Sequence, residues 1–64
     1  MVDRYYLIDM ETGEVIFELH DPYQMTVQIN RVIQWKGYRL KQLAVSLNGE
    51  EEWNADDFIN IYPI

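Results

Sequence analysis

A turn signal between two alternating apolar runs is the feature that most constrains the fold of this chain. The tetrapeptide Met-Glu-Thr-Gly fits a type I turn that ends with Gly13 in the left-handed conformation, which glycine adopts without steric cost. On both sides of the turn apolar residues recur at every second position, as at Tyr5 and Leu7. This pattern predicts a β-hairpin with strands near residues 3–9 and 14–20.

Two interpretations are open for the segment that follows the hairpin. Asp21 before Pro22 is typical of a helix start, and Gln24 completes a capping-box pattern. However, apolar and polar residues alternate from Tyr23 to Trp35 with one interruption, which favours a long strand. We expect a strand, with a helix as the alternative.

Residues 38–47 are ambiguous in the same way. Their leucines have helical spacing, and the Asn-Gly pair at 48–49 would end a helix well. As a strand, the segment needs a one-residue slip near Lys41, which a β-bulge can produce. A strand is favoured, because a turn at Gly37 would pair it with the preceding segment.

The end of the chain is predicted to be an acidic loop, residues 50–57, and a last strand, residues 58–64. Pro63 has no N–H to donate and therefore suits the end of an edge strand. About five short strands predict an all-β fold, either a small bent antiparallel sheet or an SH3-like barrel. The alternative is an α+β fold, the same sheet with one helix within residues 22–48. A chain of this length is predicted to form a single domain, residues 1–64.

The first and last predicted strands are apolar on both faces. A domain this small buries only about 60% of the surface of its unfolded chain, and without cysteine it has no disulfide to add stability. Since soluble monomers rarely expose large apolar patches, we expect a helix, a second copy or another protein to cover the second face. The predicted homodimer interface consists of Tyr6, Ile8, Ile16, Ile59 and Ile61.

The absence of cysteine, of a signal-peptide pattern and of a long apolar run predicts a soluble, cytoplasmic protein.

Charge is divided sharply along the chain. Residues 25–48 hold four of the five basic residues and no acidic one, whereas the segments before and after them are strongly acidic and bring the net charge to −6. The simplest interpretation is intramolecular. Cross-strand ion pairs between the basic centre and the acidic flanks would help to set the register, each contributing about a few tenths of a kcal/mol.

Two charged segments are candidate partner-binding sites. Trp, Tyr and Arg are the residue types that anchor binding hot spots, and they define the basic-aromatic segment: Arg31, Trp35, Lys36, Tyr38, Arg39 and Lys41. Carboxylates that would guide a basic partner define the acidic segment: Glu50, Glu51, Glu52, Trp53, Asp56 and Asp57. Stacking aromatics with cations also suit nucleic acid, but the pI of about 4.4 opposes binding to a polyanion.

The residues needed for catalysis are scarce. His20 is the only histidine and Ser46 the only serine, and His20 and Asp21 would point to opposite faces if both lay on a strand. The acidic segment lacks the ligand spacing of an EF-hand, and no glycine-rich loop could hold a phosphate. We predict a protein that is not an enzyme and that has no metal or cofactor.

Two motifs resemble those of short, uncharacterised β-barrel proteins of bacteriophages and mobile elements of Gram-positive bacteria. Those proteins similarly carry a Y-x-x-I-D-x-x-T-G-E hairpin, here YYLIDMETGE, and a W-x-G-x-Y-x-V-x-x-V hairpin, here WKGYRLKQLAV without the residue between Gly37 and Tyr38. The resemblance implies an accessory protein that binds and inhibits one host protein through an acidic surface, for example an immune effector or a nucleic-acid-binding enzyme. The alternative is a small nucleic-acid-binding β-barrel that uses residues 31–41.

Overall fold

A computed structural model describes residues 2–64, which form an open antiparallel sheet with two helices on one face. In chain order the elements are β1 (Tyr5–Asp9), β2 (Val15–Leu19), α1 (Pro22–Lys36), a 3₁₀ turn (Leu40–Gln42), β3 (Leu43–Leu47), β4 (Glu51–Asn54) and α2 (Ala55–Ile61). The strand order is β2-β1-β3-β4, and neighbouring strands are antiparallel. The predicted all-β fold was wrong, because the chain is α+β.

The first hairpin is confirmed. Gly13 has a φ of +78° and its N–H donates to the carbonyl oxygen of Asp9 at 2.7 Å, which closes the turn. A β-bulge between Leu7 and Ile8 shifts the register, so Val15 lies opposite Ile8. The bulge increases the local twist of this end of the hairpin.

The strand predicted from Tyr23 onwards is helix α1. The Asp21 side chain accepts a hydrogen bond from the N–H of Tyr23 at 2.9 Å, and Pro22 occupies the first turn. At the other end Gly37, with a φ of +76°, donates its N–H to the carbonyl oxygen of Val32. The predicted turn at Gly37 is therefore the end of a helix, not the tip of a hairpin.

The alternating pattern failed in α1 because a second pattern was superimposed on it. Met25, Ile29 and Val32 recur at helical spacing and are buried against the sheet, with 0 to 2% of their surface exposed. Burial of these three side chains and the hydrogen bonds that cap both ends favour a helix more than the alternation favours a strand. The helix falls within the range in which the α+β alternative placed one.

The strand predicted from Phe58 onwards is also a helix, α2. Ala55 and Phe58, one turn apart, are fully buried, and the aromatic rings of Tyr5, Trp53 and Tyr62 surround that of Phe58 at centroid distances of 5.8, 5.8 and 5.0 Å. Two acidic residues lie in the first turn of α2, where the helix dipole favours negative charge. This helix lies on the same face of the sheet as α1, so the second face, which we had expected a helix, a second copy or another protein to cover, is not covered by α2.

Residues 38–47 are a strand only from Leu43 onwards. The predicted bulge at Lys41 is a 3₁₀ turn, which ends where β3 begins. Strand β3 then pairs with β1, and Leu43 lies opposite Asp9. The segment before Gly37, which we predicted to pair with it, forms α1 instead.

The core lies between the sheet and the two helices. Leu7, Leu43 and Val45 point from the sheet to the helices and are fully buried. Helix α1 contacts β1 and β2, whereas α2 contacts β3 and β4. The helices therefore lie side by side on the same face, and the opposite face, which carries Tyr6 and Ile8, is open.

The five residues predicted for a homodimer interface do not share a surface. Tyr6 and Ile8 lie on the open face, and Ile16 and Ile59 pack against the core. Ile61 is 51% exposed on α2. Dimerisation itself stays a prediction. Within residues 2–64, no helix combines the length and apolarity that crossing a membrane requires.

Candidate functional site

Trp35, in the last turn of α1, is the most exposed large apolar side chain of the described chain. It is 80% exposed, although tryptophan is on average a highly buried residue. Arg31 precedes it by four positions and is also exposed, so the two side chains are neighbours on the helix surface. Lys36, the next residue, is exposed as well.

The rest of the basic-aromatic segment follows the end of α1. Tyr38 is half-buried and packs against the core, which leaves it a limited surface for binding. Arg39 and Lys41 are exposed, before and within the 3₁₀ turn. Since Arg31, Lys36, Arg39 and Lys41 all lie outside the strands, the cross-strand ion pairs that we predicted for them were wrong.

The acidic segment is not a loop. It comprises the end of a turn, all of β4 and the first turn of α2. Glu51 lies opposite Leu47 and Asn54 opposite Ala44, so Glu50 and Glu51 lie at one end of β4 and the aspartates of α2 beyond the other, more than about 10 Å away.

The other members of the acidic segment point in further directions. Glu52, opposite Ser46, lies on the open face of the sheet. Trp53 is half-buried, with its ring 5.8 Å from that of Phe58. The five carboxylates are thus divided among three regions and do not form one binding surface.

The side of α1 that carries Trp35 can be located from its contacts with α2. Thr26 and Tyr23 both contact Tyr62 at the end of α2, through a hydrogen bond of 2.7 Å and a ring contact of 5.5 Å. At about 100° per residue, Trp35 lies about 180° and Arg31 about 140° around the helix from Thr26. Because α1 lies over β1 and β2, this flank borders β2, one of the two outer strands of the sheet.

A second polar feature lies at the opposite end of the sheet. An open cleft of about 640 Å³ is lined by Val2, Arg4, His20, Asn48 and Glu50. The ring Nδ1 of His20 lies 3.2 Å from the carbonyl oxygen of Asp3, which can only accept, so Nδ1 carries the hydrogen. Every residue that lines the cleft is exposed. Sequence patterns contained no signal for this cleft, because its residues come from three separate segments.

The residues considered for catalysis lie apart. Ser46 is on β3, and His20 directly follows β2. Strand β1 lies between them, which separates the two strands by about 10 Å.

Asp9 is a buried carboxylate with a structural role. It is 5% exposed and its Oδ1 accepts hydrogen bonds from the Glu11 N–H at 2.9 Å and from Gln42 Nε2 at 3.2 Å. Burial by itself raises the pKa of Asp9, but the hydrogen bonds from Glu11, Gln42 and Thr12 outweigh it and lower the pKa below its usual value. Asp9 thereby joins the first turn to the 3₁₀ turn.

No protein-family model matches this chain, and no curated protein or solved structure shows a significant match. The candidate surface therefore rests on its own geometry. The second motif that resembles phage proteins spans the end of α1, the 3₁₀ turn and the start of β3, so it does not form a hairpin here.

Proposed function

We propose that this chain is a non-enzymatic protein–protein interaction module that binds one host protein and inhibits it, in the manner of phage accessory proteins. The observation that carries the proposal is the exposure of Trp35, 80%, beside Arg31 on one flank of α1. Burying that much of an indole would contribute on the order of 3–5 kcal/mol to binding. Tryptophan and arginine are also the residues most often found at the centre of protein interfaces.

Of the two candidate segments, the geometry favours the basic-aromatic one. An acidic docking surface needs neighbouring carboxylates, but the length of β4 separates Glu50 and Glu51 from Asp56 and Asp57, and Glu52 points to the open face. Trp35, Arg31 and Lys36, in contrast, come from the last two turns of one helix. The partner surface that fits them is apolar at its centre and acidic at its rim.

The net charge of −6 acts at longer range. It opposes association with a polyanion, so nucleic acid is not the partner that we propose. The lack of cysteine suits a reducing compartment, and we place the interaction in the cytoplasm.

A homodimer through the open sheet face is a weaker proposal. Four strands about 4.8 Å apart, with about five residues of 3.3 Å each, give a face of roughly 300 Å². A typical stable interface buries about 800 Å² on each partner. The flat area of the open face is well below that of such an interface, so we do not propose that this face alone holds two copies together.

The test is affinity capture from a bacterial lysate with the tagged chain, with and without nuclease treatment. We expect a stoichiometric protein band that survives nuclease, and whose activity in purified form falls when the chain is added. The band should be lost with Trp35→Ala and retained with Gln34→Ala, an exposed control on the same helix. A band that disappears with nuclease would favour the nucleic-acid-binding alternative. A band retained by Trp35→Ala would show that this surface is not the binding site.

A further inference from the structure

The two outer strands of the sheet differ in how well their free edges are protected. Proteins commonly place charged residues on edge strands to prevent another chain from pairing with them. In four residues β4 carries two glutamates, Glu51 and Glu52, and α2 follows it directly. In five residues β2 carries one charged residue, Glu18, among four apolar ones.

The backbone hydrogen bonds of β1 show which of its residues pair with β3 and which pair with β2. The Met10 N–H donates to the Gln42 carbonyl oxygen at 2.8 Å, and the Asn48 N–H donates to the Arg4 carbonyl oxygen at 2.8 Å. Even-numbered residues of the first strand therefore bond towards β3. Since bonding direction alternates along a strand, the odd-numbered residues bond towards β2.

This alternation determines which backbone groups of β2 are free. Tyr5 and Leu7 lie opposite Leu19 and Phe17, so these two residues of β2 bond to β1. Glu18, between them, turns its N–H and C=O away from the sheet. Those two groups are the ones that a further strand would bond to.

The outer side of β2 is bordered by the flank of α1 described above. Phe17 and Leu19 are half-buried on the side of the sheet that faces α1, and the flank of α1 that carries Arg31 and Trp35 lies on the β2 side of the sheet. The outward edge of β2, its apolar side chains and the flank of α1 with an exposed indole and a cation therefore lie on the same side of the molecule. Addition of a peptide strand at a sheet edge uses such main-chain groups for affinity and adjacent side chains for specificity.

We propose that the outer edge of β2, beside the Arg31–Trp35 flank of α1, takes up an extended segment of the partner protein as a fifth strand. The segment is acidic and apolar. Its alternate side chains would point towards α1, where apolar ones would cover Trp35 and acidic ones would pair with Arg31. The preference for acidic side chains follows from α1, which carries two cations, Arg31 and Lys36, and no anion, whereas Glu18 of β2 lies on the opposite face of the sheet. This inference rests on the proposed function and specifies how the partner binds.

The chain offers a matched pair of variants for the test. The same alternation continues across β3, where Ser46 and Ala44 bond to β1, so Val45 and Leu47 bond to β4 and Glu52 points outwards. Proline is tolerated on an edge strand where the N–H faces solvent. Glu18→Pro therefore removes one outward N–H from the edge of β2, and Glu52→Pro removes one from the edge of β4. Both variants leave the hydrogen bonds between the strands of the sheet in place.

The experiment uses the purified full chain to select from a displayed library of random eight-residue peptides, followed by affinity measurements with synthetic peptides. We expect enriched peptides that alternate acidic and apolar residues. Their affinity should fall at least tenfold with Glu18→Pro and with Trp35→Ala, and change less than twofold with Glu52→Pro. If Glu18→Pro does not fold, N-methylation of alternate nitrogens in the peptide should produce the same loss.

The other outcomes separate the two proposals. Peptides that need Trp35 but bind Glu18→Pro like the wild type overturn strand addition and leave the proposed function intact. Peptides that need the Glu18 N–H but are indifferent to Trp35→Ala contradict the role of that residue in both proposals. Enrichment of basic peptides, or no enrichment, overturns the inference.

Discussion

The Thr26 hydroxyl donates a hydrogen bond of 2.7 Å to the carbonyl oxygen of Tyr62, 36 residues later in the chain. Thr26 is 2% exposed, in the middle of the helical layer. The bond links α1 to the end of α2. Together with the ring contact between Tyr23 and Tyr62, it holds one flank of α1 against the end of α2, so that the Trp35 flank points the other way.

Replacing Thr26 with valine should destabilise the fold. Valine has nearly the same shape but cannot donate, so the Tyr62 carbonyl would lose its partner, at a cost of about 1–3 kcal/mol. Urea unfolding followed by circular dichroism measures the difference. Thr26→Ser, which keeps the hydroxyl, is the control and should lose less stability. Equal stability of Thr26→Val and the wild type would show that the bond contributes nothing.

Replacing Phe58 with alanine should unfold the chain or leave it barely stable. Phe58 is fully buried, and its ring contacts Tyr5, Trp53 and Tyr62. Loss of such a ring costs about 3–5 kcal/mol, which is comparable to the whole stability of roughly 3–10 kcal/mol expected for a domain of this size.

Thermal unfolding compares Phe58→Ala with two controls. Phe58→Leu retains most of the apolar volume and should remain folded. Ile64→Ala removes a side chain that is 76% exposed and should change the stability by less than about 0.5 kcal/mol. A cooperative transition of Phe58→Ala near the wild-type temperature would contradict the central role of this ring.

The stability of the chain should depend on the ionisation of Asp9. The folded-state pKa of Asp9 is lowered from 3.8 because hydrogen bonds to the carboxylate outweigh its burial. A lowered folded-state pKa means that the ionised carboxylate stabilises the fold above about pH 4, and that this stability is lost as the pH falls through the folded-state value.

Asp9→Asn should therefore be less stable than the wild type at pH 7, with a difference that shrinks below pH 4. Urea unfolding across this range measures both chains. Glu14→Gln, at an exposed position of the same turn, is the matched control. A difference between wild type and Asp9→Asn that is independent of pH would contradict the assignment.

Gly37 should be sensitive to any side chain. Its φ of +76° is left-handed, and a Cβ atom there would meet no other atom within 4 Å. The cost of Gly37→Ala is therefore conformational, about 1–2 kcal/mol. Gly37→Asn should cost less, because asparagine tolerates this conformation. Urea unfolding of both variants tests the order, and an alanine variant as stable as the wild type would contradict it.

Local sequence determined the first hairpin and both ends of α1. Gly13 requires a left-handed turn between two alternating runs, and Asp21 with Pro22 and Gly37 are local caps that need no distant contact. The alternation in the same segment competed with those caps. It could not be rejected from sequence, because only the sheet shows that Met25 and Ile29 are the buried positions.

Tertiary structure decided α2 and the arrangement of the charges. Seven residues are too few to form a stable helix alone, and α2 forms because Phe58 is buried against Tyr5, which lies 53 residues earlier. The sequence placed four cations between residues 31 and 41. Only the packing of α1 over β1 and β2 turned the flank with Trp35 and Arg31 towards the β2 side of the sheet, because the direction of a helix flank depends on what its other flank contacts.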